Sequence, residues 1–206
     1  AKVGDAEYTG WGMVASGLAA VWARENTRQS LFDAMMNKET YATTGSRMLV
    51  RFFGGWEFTK TDALNRLPAN VGYTKGVPMG GDLTKGPDGK SPGFLVAAMR
   101  DALSGNLDRI QIVKIWVDST GKRQEKVFNA VWSRNRRVGD DGKLPSVGNT
   151  VDVANATWTN TIGSPELITV WTDPEFYPKI SAAYYARVLE IPTPRWTAYE
   201  AKRFGI

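Results

Sequence analysis

The chain is predicted to be mostly β, an antiparallel β-sandwich preceded by a short helical segment, and three features carry that prediction. From Arg47 onward the apolar residues fall in short, strand-length runs. Between the runs stand Asp88-Gly89, Ser119-Thr120-Gly121-Lys122 and Asp141-Gly142, whose glycines and small polar side chains suit tight turns. Only ahead of residue 47 does a helical period appear.

Taken in order, the uncharged stretch Trp11 to Ala23 is broken by glycine and only thirteen residues long. It is too short for a membrane span, and with Asp5 and Glu7 before it and Lys2 as the only base it does not fit an export signal. It reads as a packed loop or a segment buried against something else; a start on Ala leaves open trimming from a longer precursor. Asn26 or Thr27 can cap a helix over about 27–38, with Gln29 completing a capping box. Leu31, Ala34 and Met35, flanked by Phe32 and Met36, give it a broad apolar stripe. No other substantial helix is expected.

Strands are expected over Met48–Phe53, Phe94–Arg100, Ile110–Asp118, Lys126–Ser133, Val151–Trp158, Leu167–Thr172 and Tyr184–Ile191. Ile110 to Val117 is apolar on nearly both faces, which predicts a central strand with a further layer outside it. The Gly/Pro-rich passage from Thr59 to Pro92 exceeds ordinary connections and is a place to look for function.

With 206 residues and 42% hydrophobic content, the chain can bury a real core. The net charge of +5 comes from 26 basic residues interleaved with 21 acidic ones, so no basic footprint for nucleic acid stands out. The run Arg134-Asn135-Arg136-Arg137 reads as a solvated loop. No cysteine is present, which excludes disulfides and thiolate metal sites and leaves the compartment open, a periplasmic or secreted one being slightly favoured. No histidine is present either, removing the commonest general base and transition-metal ligand.

Asp140-Asp141-Gly142-Lys143, and Asp82 beside Gly80-Gly81, lack the acidic spacing of a calcium loop and read as turns. The eight tryptophans could form a sugar platform, but Trp116, Trp132, Trp158 and Trp171 fall in expected strands and read as core; Trp196 is the one expected to be exposed. Two stretches look more deliberate. Tyr41, Thr43 and Thr44 form a hydroxyl run leading to Arg47. In Arg187 to Trp196, Pro192 and Pro194 form a stiff arm that can hold Arg195, with Arg187 on the preceding strand. Guanidinium groups suit phosphate, sulfate or carboxylate, although ion pairs with Glu190 or other acids are the structural alternative.

Residues 24–35 (RENTRQSLFDAM), 39–45 (ETYATTG) and 50–55 (VRFFGG), continued by 78–83 (PMGGDL), 107–114 (LDRIQIVK) and 184–196 (YYARVLEIPTPRW), resemble the closing part of a bacterial family of uncharacterised proteins. Full-length members of that family resemble metal-dependent hydrolases of the polymerase and histidinol phosphatase (PHP) type. The resemblance implies an upstream α/β barrel that binds divalent metal and hydrolyses a phosphate, sulfate or similar ester. It divides this chain into residues 1–46, similar to the tail of that barrel, and 47–206, the β-sandwich. Neither a His-x-His nor a Ser-Asp-x-His motif is present, so the family's metal ligands are missing. The expectation is therefore no catalytic residue, metal or cofactor on this chain, and the upstream barrel as its partner, with a homo-oligomer left open. Arg47, Arg187, Arg195, Trp196, Tyr41, Thr43 and Thr44 are the candidate substrate-binding residues at the barrel's rim. A carbohydrate- or protein-binding sandwich without catalysis is the competing expectation.

Overall fold

The computed structural model describes residues 2–3, 6–7, 17–84 and 86–205. In chain order the elements are β1 (Lys2–Val3), β2 (Ala6–Glu7), β3 (Leu18–Val21), α1 (Arg28–Met36), β4 (Thr40–Thr43) and β5 (Leu49–Gly55). A 3-10 turn (Lys60–Leu64), α2 (Pro68–Lys75), β6 (Val77–Pro78), β7 (Gly93–Met99) and β8 (Leu107–Val117) follow. The chain continues through β9 (Arg123–Trp132), β10 (Glu166–Thr172), β11 (Ala182–Glu190) and α3 (Trp196–Phe204). It is mostly β, as expected.

A four-stranded sheet in the order β10-β7-β5-β6 faces a three-stranded sheet in the order β11-β8-β9, and all of their pairings are antiparallel. The strand period of two sorts the side chains. Val50, Phe52, Phe94, Val96, Ala98 and Leu167 point into the sandwich and meet Leu107, Ile110 and Ile112 of β8. Each fully buried aliphatic here contributes about 1.5–3 kcal/mol. The alternate residues of the four-stranded sheet, Phe53, Leu95 and Val170, form a second core with Phe58, Ala63, Ala69 and Val71.

The extra layer is therefore real, but it lies on the four-stranded sheet. It consists of the 3-10 turn and α2, clamped by Lys75 on Asp62 at 2.7 Å. Close approach requires Gly72: a Cβ there would sit 2.4 Å from the Phe53 ring. Over β8, which had been expected to carry the layer, Val113 is buried but Ile115 and Val117 are exposed.

Six of the seven expected strands form within a few residues of their expected ends. The seventh, Val151–Trp158, is a turn closed by a single bridge between Asp152 and Thr157. It belongs to a long excursion between β9 and β10 tied down by polar groups. Asn106 Nδ2 donates to the Asn160 and Ile162 carbonyls at 3.0 and 2.9 Å. Arg136, expected to be solvated, is instead a largely buried hub. It donates to Asp108 Oδ1 at 2.5 Å, to the Pro145 carbonyl at 2.9 Å and to the Ser133 carbonyl at 3.0 Å. Trp158 packs there beside Val147, Ile162 and Ile191.

Helix α1 ends one to two residues before its expected limit, with Thr27 as its cap and Gln29 reaching forward to Asp33 rather than back to Asn26. It is not the sole helix: α2 lies in the Thr59 to Pro92 passage, and α3 follows the proline arm. Of the stretch Trp11 to Ala23, residues 11–16 lie outside the described residues, and Leu18–Val21 forms strand β3, paired with β4. That two-stranded ribbon, with α1 between its strands, is stapled to the edge of β5. Trp22 Nε1 donates to the Val50 carbonyl at 2.8 Å, the Tyr41 hydroxyl donates to the Met48 carbonyl at 3.0 Å, and the Arg51 guanidinium lies 3.4 Å over the Trp22 ring.

Candidate functional site

The two sheets do not close along one side. There β11 is the last strand of its sheet, and the facing edge is formed by β5 and the two-residue β6. Between them runs a groove of about 1270 Å³. Its floor is apolar and aromatic, built from Val50, Phe52, Phe94 and Tyr184. The β4 end contributes Tyr41, Thr43 and Thr44, residues 79–84 and 86–92 form one wall, and every residue from Ala182 to Val188 lines the other.

The passage from Thr59 to Pro92, singled out by its length, thus supplies a wall. Gly86 lies flat against the Trp56 indole, where a Cβ would come within 2.5 Å of the ring. The Trp56 indole N–H donates to the Thr84 carbonyl at 3.1 Å. Trp56 also meets Phe176 edge-on, bringing the 79–92 loop to the 174–181 loop at one end of the groove.

That second loop is held by a cluster the sequence reading did not identify. Lys114, on the inward face of β8, donates to Asp173 Oδ2 at 2.6 Å and to the Glu175 carbonyl at 2.8 Å. Tyr184 donates to the same carboxylate oxygen at 2.7 Å, while Oδ1 accepts from the Glu175 N–H at 2.8 Å. Asp173 is fully buried. Burial, and then the anionic acceptor, push the Tyr184 phenol far above its ordinary range, which favours its role as donor to Asp173. Tyr184 also packs on Phe94, with ring centroids 4.5 Å apart. A lysine in register with Ile110 and Ile112 on the inward face of β8 was the one available signal, because a buried ammonium needs a buried acid.

The candidate residues do not gather at one point. Tyr41, Thr43 and Thr44 border the groove, but two of those hydroxyls are already engaged: Tyr41 on the Met48 carbonyl, and Thr43 Oγ1 on the Ser46 carbonyl at 2.6 Å. Arg187 borders it through its strand, while its Nε donates to Gln111 Oε1 at 3.0 Å on the outer face of the three-stranded sheet. Arg47 is exposed outside the groove, its backbone N–H donating to Asp101 Oδ2 at 2.7 Å. Arg195 caps α3 and Trp196 begins it, 46% exposed; α3 is tied by Lys202 to the Asn155 carbonyl in the excursion, and neither residue lines the groove. The alternative of ion pairs with Glu190 is not seen for Arg47, Arg187 or Arg195 among the described residues.

Glu190 is itself unusual. It enters at a β-bulge beside Leu189, and its Oε1 is buried with no hydrogen-bond partner. Burial, with the Asp101 charge adding to it, raises its pKa above the ordinary value.

A row of free indoles for sugar stacking is not found among the described residues. Trp22 is covered by Arg51, Trp56 by Gly86, and Trp171 packs between Phe94 and Phe128. Nor do three acids converge as a cation site among those residues, and none of the described helices is long and apolar enough to cross a membrane. Comparison with curated proteins returns no match, and comparison with solved structures returns none either. The family comparison does return one: the model of DUF3604, a family described as proteins of unknown function, matches residues 1–206, and the chain belongs to that family.

Proposed function

We propose that this chain is the non-catalytic, β-rich portion of a PHP-type metal-dependent hydrolase of phosphate or sulfate esters, and that it packs on a barrel formed by residues upstream of it. The observation that carries this reading is the state of α1. Its apolar stripe buries only Ala34, while Phe32 is 53% exposed, Met35 53% and Met36 64%. An amphipathic helix gains its stability by covering such a stripe. This is the helix that the resemblance assigns to the barrel's tail, so the cover belongs to the barrel.

The chain's own residues do not fit a catalytic metal, having no histidine and, among the described ones, no cluster of three acids. Metal activation of water is assigned to the upstream part. What this chain offers is positioning: Arg47 and Arg195 are exposed and unpaired among the described residues, and either can reach an anionic group on a docked neighbour.

The test compares the 206-residue chain with a polypeptide extended upstream through the barrel. With added Mn²⁺, the extended protein should hydrolyse p-nitrophenyl phosphate or sulfate and the shorter chain should not. The pair Phe32→Asp and Met36→Asp should destabilise the extended protein by about 2–3 kcal/mol, the value of covering two half-exposed side chains. In the shorter chain the same changes should stay within about 0.5 kcal/mol. Equal effects in both proteins, or hydrolysis by the shorter chain, would refute the reading.

A further inference from the structure

We propose that the open edge of β11 is a receptor for an extended polypeptide segment, which enters the groove and adds to the three-stranded sheet as a further strand. This goes beyond the docking of α1 and uses a different surface.

Among the described residues, strand β11 pairs with β8 along one edge only. Among the described residues, no hydrogen bond reaches its other edge between Ala182 and Val188, and all seven of these residues face the groove. Every second one presents its N–H and carbonyl there, which is the template that an incoming strand reads. The space matches. A strand of seven residues is about 23 Å long, about 4.8 Å wide and, within a sandwich, about 10 Å deep, or about 1100 Å³. The groove holds about 1270 Å³. The match also argues against edge-to-edge pairing of two copies, because the wall formed by residues 77–84 and 86–92 leaves room for a single strand rather than for a second sheet.

The side chains the groove accepts follow from strand alternation. One face of the added strand lies on Phe52, Phe94 and Tyr184 and calls for apolar residues. The other face lies beside the outward residues of β11, Tyr185 and Arg187. Arg187 spends its Nε on Gln111, and its two terminal nitrogens have no partner among the described residues. A carboxylate on the incoming strand complements that charge. The ligand class is therefore a peptide of alternating apolar and polar residues, with an acidic residue on its outward face.

The probe is a set of acetylated, amidated nine-residue peptides that alternate Val with Thr, with one Thr replaced by Asp at each register in turn and a scrambled peptide as control. Binding is measured by fluorescence anisotropy. At least one register should bind and the scrambled peptide should not. N-methylation along the bound peptide should weaken it in a period-two pattern, about tenfold or more at alternate residues and less than about twofold between them, since only alternate N–H groups reach the edge. Arg187→Glu should reverse the preference, favouring a Lys peptide over the Asp peptide by about fivefold. Hydrogen exchange of the Ala182 to Val188 amides should be fast in alternate residues of the free protein and slow in the complex. The proposal is overturned if no register binds at about 1 mM, if N-methylation shows no alternation, or if those amides are already protected without peptide. Protection that grows with protein concentration would instead place a second copy on the edge.

Discussion

Asp173→Ala should destabilise the protein more than a surface change by several kcal/mol, because among the described residues Asp173 is the only counter-charge of a buried ammonium. The Lys114 side chain is 8% exposed and Asp173 is inaccessible. Without the carboxylate, Lys114 keeps one partner, the Glu175 carbonyl, while the Tyr184 hydroxyl and the Glu175 N–H each lose their acceptor. Stranding one member of a buried ion pair costs about 3–5 kcal/mol. For a chain of this length each kcal/mol moves the midpoint by about 2–4 °C, so Tm should fall by about 6–20 °C. Urea unfolding followed by tryptophan fluorescence measures the loss directly, with an unchanged slope showing that the native and denatured states are otherwise comparable. Replacing the whole cluster at once, as Lys114→Met with Asp173→Leu and Tyr184→Phe, should recover most of it, since no charge is then stranded and the only groups that lose a partner are the backbone N–H and carbonyl of Glu175, an exposed residue that water can reach. A single-mutant loss below about 1 kcal/mol, or a triple variant as unstable as the single one, would refute the argument that the cluster is held by mutual satisfaction of buried charge.

Two further changes test the packing and electrostatics. Glu190 has a raised pKa, so the folded carboxyl keeps its proton to higher pH than the unfolded one. Its contribution is most favourable below the ordinary value of 4.5 and declines as pH rises through the folded value. Glu190→Gln should therefore abolish the loss of stability that Glu190 imposes as pH rises above 4.5, and raise Tm at pH 7 while leaving it little changed below about pH 4; a lower Tm at pH 7 would show that the charged form is the one the fold accommodates. Gly72→Ala should lose about 1–3 kcal/mol to the clash with the Phe53 ring despite the better helix propensity of alanine, whereas Asn70→Ala, on the exposed side of α2, should be neutral or slightly stabilising.

What the sequence made legible was what short-range pattern decides. The apolar runs Met48–Phe53 and Phe94–Arg100 become β5 and β7 within two residues of their expected ends, although the sheet with a core on each face is theirs and not that of β8, where the added layer was expected. The turn glycines were also readable: Gly89, Gly121 and Gly142 have φ values of +77°, +81° and +73°, and Asp118 anchors the β8–β9 turn. The Thr120 hydroxyl leads the hydrogen bonds that hold the Asp118 carboxylate down at about 2. The misreadings come from partners distant in sequence. Val151 to Trp158 has strand composition but turns back on itself through the Asp152–Thr157 bridge, between points where Arg136 holds the Pro145 carbonyl and Asn106 the Asn160 carbonyl. Arg136 looked solvated beside other arginines, yet its partner Asp108 is 28 residues away.

The site shows the same limit more sharply. A groove between two sheet edges belongs to no motif: its floor comes from β5, β7 and β11, and its walls from the loops that carry Asp82 and Lys179. The hydroxyl run at Thr40 to Thr44 drew attention as a binding feature and does border the groove, but the local chemistry explains most of it, with Tyr41 and Thr43 closing the β4–β5 connection onto the Met48 and Ser46 carbonyls. The proline arm before Arg195 is likewise accounted for by where it leads, since Ile191 packs with Val147 and Ile162 and the chain then turns into α3. The features that local packing leaves unexplained are the uncovered stripe of α1 and the unpaired edge of β11. The first is a surplus of apolar area and the second a surplus of backbone polarity, so they call for different partners: a broad surface for the helix, and a single extended strand for the edge.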